Sequence, residues 1–84
     1  MKLKELLGHI SYERIQGNID IDILHLSYDS RQIEPGTLFF CIKGFQVDGH
    51  EYAKDAVEKG AVALLVEKPL LMIPEEVTII QVEN

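Results

Sequence analysis

Hydrophobic residues along the chain fall into short runs that predict separate strands and helices. The segments at 37–42 (TLFFCI) and 61–66 (AVALLV) are apolar almost throughout, as is typical of strands buried on both faces. Between them, residues 49–59 repeat apolar side chains at helical spacing and predict an amphipathic helix. Strand, helix and strand within about 30 residues predict a βαβ unit with parallel strands and a right-handed crossover.

The remaining pattern predicts a few further elements around this unit. Leu3, Leu6 and Leu7 share one helical face and predict a helix over residues 2–8. Strands are predicted at 23–28 and 77–82, and the alternating segment 17–22 suits a loop or a short edge strand. Residues 1–84 are therefore expected to form one small α/β domain. Its sheet should be mixed and partly parallel, with a βαβ unit and flanking helices.

Turn and cap signals locate the edge of this sheet at which a ligand would bind. Asp48 and Glu51 have the spacing of a helix N-terminal capping box, and Gly60 stands where a glycine ends a helix. Ligands of α/β sheets bind beyond the carboxyl ends of the strands. Residues 43–49 follow such a strand end and are the first place to expect a site.

Composition and charge exclude some classes of partner. The formal net charge is −6 and the pI is near 4.9. Lys and Arg are scattered, so the basic stripe of a nucleic-acid-binding protein is missing and no nucleic-acid partner is expected. No apolar run approaches the roughly 18–20 residues that span a bilayer, so no membrane partner is expected either. The single cysteine, Cys41, excludes an intramolecular disulfide and, with no signal-peptide pattern, points to the cytoplasm.

The segment from Gly44 to Glu51 has glycines at a spacing close to that of an ATP-binding P-loop. A P-loop needs a lysine and a hydroxyl after its last glycine, but His50 and Glu51 occupy those places. We therefore reject ATP binding by this loop. An aromatic ring, an amide and an apolar side chain suit a nucleobase pocket, and the loop carries all three as Phe45, Gln46 and Val47.

A second polar segment, residues 28–31 (YDSR), follows the predicted strand 23–28. It has two interpretations that spacing alone leaves equal. In the first, it is an Asx or Ser turn with Arg31 paired to Asp29, Asp48 or another carboxylate. In the second, Ser30 offers a hydroxyl to a ligand and Tyr28 a ring or a backbone group.

Other reactive side chains give no catalytic or metal-binding pattern. The three histidines lack metal-ligand spacing and are interpreted as ordinary surface or strand residues: His9, His25 and His50. Cys41 lies in a predicted buried strand and is interpreted as a core residue. From the residues alone, the sequence predicts a small α/β binding domain with no catalytic residue and no metal ligand.

Residues 28–67 resemble the N-terminal domain of the Mur ligases, in particular the UDP-N-acetylmuramoyl-tripeptide synthetases known as MurE. Four blocks of that family occur in order and with family spacing. They are a DSR triplet, a P-G-x-L-F step, a G-x-x-x-D-G-H loop and an A-x-x-x-G-A-x-A segment, at residues 29–31, 35–39, 44–50 and 56–63. The opening MKLKELL and the closing TIIQVEN are also similar to the family, so the resemblance covers nearly the whole chain.

The resemblance implies a domain that binds the UDP end of UDP-N-acetylmuramoyl-L-alanyl-D-glutamate in peptidoglycan biosynthesis. The family positions that contact this substrate correspond here to five residues: Tyr28, Ser30, Phe45, Gln46 and Val47. Ligation in the family needs ATP and Mg²⁺, which are held by central and C-terminal domains. No cofactor is therefore expected in these 84 residues, which should be inactive alone and continue, in the natural protein, beyond Asn84.

Two alternatives remain beside the MurE interpretation. The ligase that adds D-alanyl-D-alanine (MurF) shares the DSR-like triplet and the D-G-H loop, and a free-standing binding module is also compatible with the residues. The forms Y-D-S-R and D-G-H-E-Y-A favour MurE. Overall likeness favours meso-diaminopimelate over L-lysine as the amino acid that is added.

Overall fold

The computed structural model describes residues 1–43 and 48–83, which form one five-stranded sheet with a helix on each face. The strands are β1 (Arg14–Gln16), β2 (His25–Ser27), β3 (Thr37–Cys41), β4 (Ala61–Val66) and β5 (Thr78–Gln81). The α-helices are α1 (Leu3–Leu7) and α2 (Ala53–Glu58), and short 3-10 helices span Ser30–Gln32 and Gly49–Tyr52.

The strand order is β1-β5-β4-β3-β2, and every neighbouring pair is parallel except β1 with β5. The predicted fold class, a mixed and partly parallel sheet with a βαβ unit, is therefore confirmed. Strands β3 and β4 are the central parallel pair that the apolar runs predicted. Because β2 and β3 are parallel neighbours, their carboxyl ends meet at one edge of the sheet.

The first strand was not predicted, and the segment 17–22 forms no strand. Strand β1 is three residues long, and only Ile15 in it is partly covered, so it has no periodic signal in the sequence. In the segment 17–22, Asp22 makes one isolated bridge with Lys2. Its aspartates lie 3.6–3.7 Å from lysines of the N-terminal segment, so they contribute surface ion pairs and no sheet edge.

The helix expected over residues 49–59 begins with 3-10 geometry and becomes α-helical at Ala53. A Cβ at Gly49 would lie 2.9 Å from the backbone nitrogen of Ile42, so a glycine is needed where this turn meets the end of β3. The Asp48 carboxylate caps the turn, accepting the backbone N–H of His50 at 3.0 Å. Gly60 ends the helical segment with φ +121°, as its position predicted.

The core has two layers, one on each face of the sheet. Helix α2 covers the face that carries Phe39, Leu64 and Ile79, and it contributes Ala53 and Ala56. Helix α1 covers the opposite face, where its leucines pack on side chains of the three central strands: Leu38, Ala63 and Ile80. Alternate residues of β3 and β4 thus face different helices, which explains why these strands are apolar throughout.

Among residues 1–43 and 48–83, no helix has the length and apolar character needed to cross a membrane.

Candidate nucleotide-binding site

A cleft of about 550 Å³ opens at the edge where β2 and β3 end. Its walls come from the turn after β2, from β3 with the residue that follows it, and from the 3-10 helix that begins at Gly49. The lining residues are 28–31, Phe39, Phe40, Ile42, Gly49 and Tyr52. The cleft therefore lies at the carboxyl ends of parallel strands, where the sequence predicted a ligand site.

The turn after β2 is fixed by hydrogen bonds within residues 27–31. The Ser27 hydroxyl accepts the backbone N–H of Asp29 at 3.1 Å and donates to its carbonyl oxygen at 3.0 Å. The Asp29 carboxylate then caps the 3-10 helix by accepting the backbone N–H of Arg31 at 2.9 Å. From the neighbouring helical segment, Lys59 Nζ donates to the Ser30 carbonyl oxygen at 3.0 Å.

The Arg31 guanidinium forms a two-pronged pair with the Asp29 carboxylate, with Nε–Oδ1 and Nη2–Oδ2 distances of 3.0 and 2.9 Å. The segment thus forms the Asx turn with a paired arginine of the first interpretation, and this geometry does not test the second, a ligand contact by Ser30. The side-chain hydrogen bonds from Arg31, assisted by its backbone N–H, lower the pKa of Asp29 to about 2. The same pairing raises the pKa of Arg31.

The cleft contains two of the residues that the resemblance implies as substrate contacts. Tyr28 is 79% exposed at the rim, which leaves its ring free to cover a flat ligand. Ser30 is half-buried, and within the described part of the chain its hydroxyl forms no hydrogen bond with protein. The other three predicted contacts, Phe45, Gln46 and Val47, lie outside the described residues.

One histidine differs from its interpretation as a surface or strand residue. His50 is buried, with its ring between Asp48 and the end of β4. Its Nδ1 contacts Asp48 Oδ1 at 2.5 Å, and its Nε2 accepts the backbone N–H of Glu67 at 3.0 Å. The sequence carried no local signal for this burial, because one partner is a backbone group 17 residues away.

Cys41 is fully buried in β3, in agreement with its interpretation as a core residue. Burial, with the nearby Asp48 carboxylate as a smaller cause, raises the pKa of its thiol to about 12. The thiol is therefore not a nucleophile near neutral pH. In the described ranges no group of three or more His, Cys, Asp or Glu side chains could hold a metal ion.

The sequence matches the family model described as the catalytic domain of the Mur ligase family over residues 22–83. Relatives named UDP-N-acetylmuramoyl-L-alanyl-D-glutamate--2,6-diaminopimelate ligase occur in several bacteria. The enzyme of Bacteroides fragilis is 51% identical over the whole chain, and that of Clostridioides difficile is 50% identical over 81% of it. The chain spans 17% and 14% of their respective lengths.

Solved structures of the same family are also similar to the chain. The chain is similar to MurF from Acinetobacter baumannii, with a TM-score of 0.63 and 30% identity over 71% of this chain and 13% of that one. It is also similar to MurF from Thermotoga maritima in complex with ADP, with a TM-score of 0.62, 27% identity and the same coverage. The chain therefore belongs to the Mur ligase family.

Proposed function

We propose that this chain binds the UDP end of UDP-N-acetylmuramoyl-L-alanyl-D-glutamate. It does so as part of an ATP-dependent ligase that adds meso-diaminopimelate as the third residue of the stem peptide. The observation that carries the proposal is the cleft beyond β2 and β3, which contains Tyr28 and the Ser30 hydroxyl. The names of the relatives supply the substrate and the amino acid.

The chemistry of the cleft supports a nucleoside ligand. Its lining is mainly apolar, with the partly exposed aromatic side chains of Tyr28 and Tyr52 from two separate segments. A uracil ring needs a flat apolar surface and a few polar groups that fix its orientation. The Ser30 hydroxyl supplies one such polar group on one wall. We place Phe45, Gln46 and Val47 among the contacts because they occupy family positions that touch the same substrate.

ATP and Mg²⁺ are assigned in this proposal to other domains of the ligase. The segment with P-loop spacing has His50 and Glu51 where a lysine and a hydroxyl would be needed. Asp48, which pairs with Lys68 and His50, adds a negative charge to the same segment, which disfavours a phosphate there. We expect the 84-residue chain to show no ATP hydrolysis and no ligation in a coupled phosphate-release assay, and turnover above background would contradict this assignment.

The ligase that adds D-alanyl-D-alanine is the second candidate, because the similar solved structures are MurF enzymes. Those structures are 27–30% identical to the chain, whereas the diaminopimelate ligases named above are 50–51% identical. The difference favours the diaminopimelate ligase. Within this proposal the enzyme acts in the cytoplasm, and its partners are the UDP substrate and its own remaining domains.

The proposal is tested by titrating UDP into the ¹⁵N-labelled chain and following backbone amide shifts. We expect saturable shifts centred on residues 28–31 and on Ile42, Gly49 and Tyr52, with weak affinity because one domain supplies only part of the contacts. CDP is the matched control, since it differs only in the base, and it should bind more weakly. Equal shifts with both nucleotides, or saturable shifts confined to another surface, would contradict the proposed site.

A further inference from the structure

His50 links two segments that are distant in sequence, close to the nucleotide cleft. Its side chain is only 4% exposed. One ring nitrogen contacts Asp48 at the start of its own turn, and the other meets the backbone of Glu67 directly after β4. The proposed function gives this buried, titratable side chain no role.

The hydrogen bonds of the ring determine which of its nitrogens carries the proton in the neutral form. A backbone N–H can only donate, so the Nε2 atom that receives the Glu67 N–H must carry a lone pair. The neutral ring therefore has its proton on Nδ1, where it is donated to the Asp48 carboxylate. Only the neutral ring with this tautomer makes both contacts.

Hydrogen bonds next to His50 also connect the cleft wall to the ends of β3 and β4. Gly49, which lines the cleft, donates its backbone N–H to the carbonyl oxygen of Ile42 at 2.9 Å. On the β3 side, the backbone N–H of Lys43 donates to Glu67 Oε1 at 3.1 Å. The end of β4 thus receives a hydrogen bond from the β3 side and gives one to His50 on the turn that carries Gly49 and Tyr52.

We propose that His50 is a positioning residue for the nucleotide cleft: its neutral ring holds the Gly49–Tyr52 wall against the end of β4, and its protonation releases that wall and weakens nucleotide binding. The inference rests on the proposed function of the cleft. A proton on Nε2 would face the Glu67 N–H, donor against donor, whereas the contact with Asp48 survives as an ion pair. Protonation therefore removes the hydrogen bond between His50 and Glu67 at the end of β4, and it leaves the contacts between His50 and Asp48 in place.

Among the described residues, the charged and titratable groups that contact the ring or its two partners come from three elements. They are Asp48 on its own turn, Cys41 and Lys43 at the end of β3, and Glu67 with Lys68 after β4. Lys68, and then His50, hold the pKa of Asp48 well below its usual range, and burial raises the pKa of Cys41 to about 12. Neither of these two groups changes charge in the range where histidines ordinarily titrate, about pH 5 to 8.

The test measures the affinity of the chain for UDP-N-acetylglucosamine between about pH 8 and pH 5.5, with histidine variants. This probe carries the uridine diphosphate as a diester, so its charge does not change over that range. His50→Gln keeps a non-titrating acceptor within reach of the Glu67 N–H, whereas the shorter His50→Asn keeps only a donor toward Asp48. His25→Gln is the matched control, because His25 is exposed and pairs with Glu34 at the opposite end of β2.

We expect the wild type and His25→Gln to lose about tenfold in affinity on acidification, as for the loss of one hydrogen bond. His50→Gln should bind within about threefold of wild type at pH 8 and hold that affinity at pH 5.5, and His50→Asn should be about tenfold weaker at both. In ¹⁵N spectra, the His50 ring of the wild type should show the Nδ1–H tautomer at pH 8. The Glu67 amide should shift on acidification in the wild type but not in His50→Gln.

Two results would overturn this inference and leave the proposed function intact. In one, wild type and His50→Gln show the same dependence of affinity on pH; in the other, folded His50→Asn binds as tightly as wild type. Should His50→Asn fail to fold, the comparison of His50→Gln with wild type still decides. If the wild type binds no UDP-sugar at any pH, the proposed function fails and the inference falls with it.

Discussion

At the scale of single residues, two serines of the turn after β2 have opposite surroundings. The Ser27 hydroxyl makes two hydrogen bonds to the backbone of Asp29 and so builds the turn. The Ser30 hydroxyl, three residues later, lines the cleft without a protein partner among the described residues. We therefore propose a structural role for Ser27 and a ligand contact for Ser30.

Ser30→Ala is therefore expected to weaken UDP binding by about 0.5–1.5 kcal/mol, the net worth of one neutral hydrogen bond, with stability unchanged. Ser27→Ala is the matched comparison and should instead lower the free energy of unfolding by a similar amount. Calorimetric titration and urea unfolding of both variants measure the two effects. An unchanged UDP affinity in folded Ser30→Ala would show that this hydroxyl does not contact the nucleotide.

The sequence predicted single residues well where their partners are close along the chain. The cap at Asp48, which was predicted, and the pairing of Arg31 with Asp29, one of several partners that the sequence left open, each lie within a span of two residues. The burial of His50 was missed because it depends on Glu67 and on the close approach of Gly49 to Ile42. Such contacts exist only after β3 and β4 have paired.

At the scale of elements, the turns before β3 and β4 pack against each other. The Gly36 N–H donates to the Gly60 carbonyl oxygen at 3.1 Å. Gly60 has φ +121°, and a Cβ there would lie 2.8 Å from Cα of Pro35. Both the backbone angle and the lack of space thus require glycine at the end of the α2 segment.

We expect Gly60→Ala to lower the free energy of unfolding by about 1–3 kcal/mol through strain and overpacking. For a domain of this size each kcal/mol corresponds to a fall in Tm of roughly 4–8 °C. Gly8→Ala is the control, since Gly8 has φ −67° and a Cβ there would meet only an ordinary contact at 3.4 Å. Equal Tm values for the two variants would contradict the role given to Gly60.

Helices and strands were predicted correctly where their burial leaves a clear hydrophobic pattern in the sequence. β3 and β4 are covered on both faces and read as continuous apolar runs, so their positions and parallel pairing followed from the sequence. Strand β1 was missed because three residues with one partly covered side chain carry no period. The 3-10 start of the α2 segment was missed because it depends on how closely Gly49 meets β3.

At the scale of the whole molecule, the chain is acidic, but two of its carboxylates are held by cations in the fold. Arg31 lowers the pKa of Asp29 to about 2, and Lys68 with His50 lowers that of Asp48 further. Because both pKa values are lower in the folded state than in the unfolded chain, their contribution to stability is fully present above about pH 4. The contribution of Asp29 is lost as the pH falls from about 4 through about 2, and that of Asp48 is lost over a range that extends to lower pH.

The free energy of unfolding should therefore decline over that acidic range, with proton uptake on unfolding. The double variant Asp29→Asn, Asp48→Asn should be less stable at pH 7 and show a shallower decline between about pH 4 and 2. Urea unfolding followed by circular dichroism at a series of pH values measures both effects. A double variant with the slope of the wild type would show that other groups control the acid response.

The pairing of β1 with β5 has a consequence for the order in which the molecule assembles. Arg14 of β1 meets Gln81 of β5, so this edge of the sheet joins the two ends of the chain. The β3–α2–β4 unit needs only nearby segments, whereas β1 has no strand to join until residues 78–81 are in place. Closing so long a loop is slow relative to local pairing. Because β5 is its one partner in this sheet, β1 is thus expected to be the last of the five strands to pair.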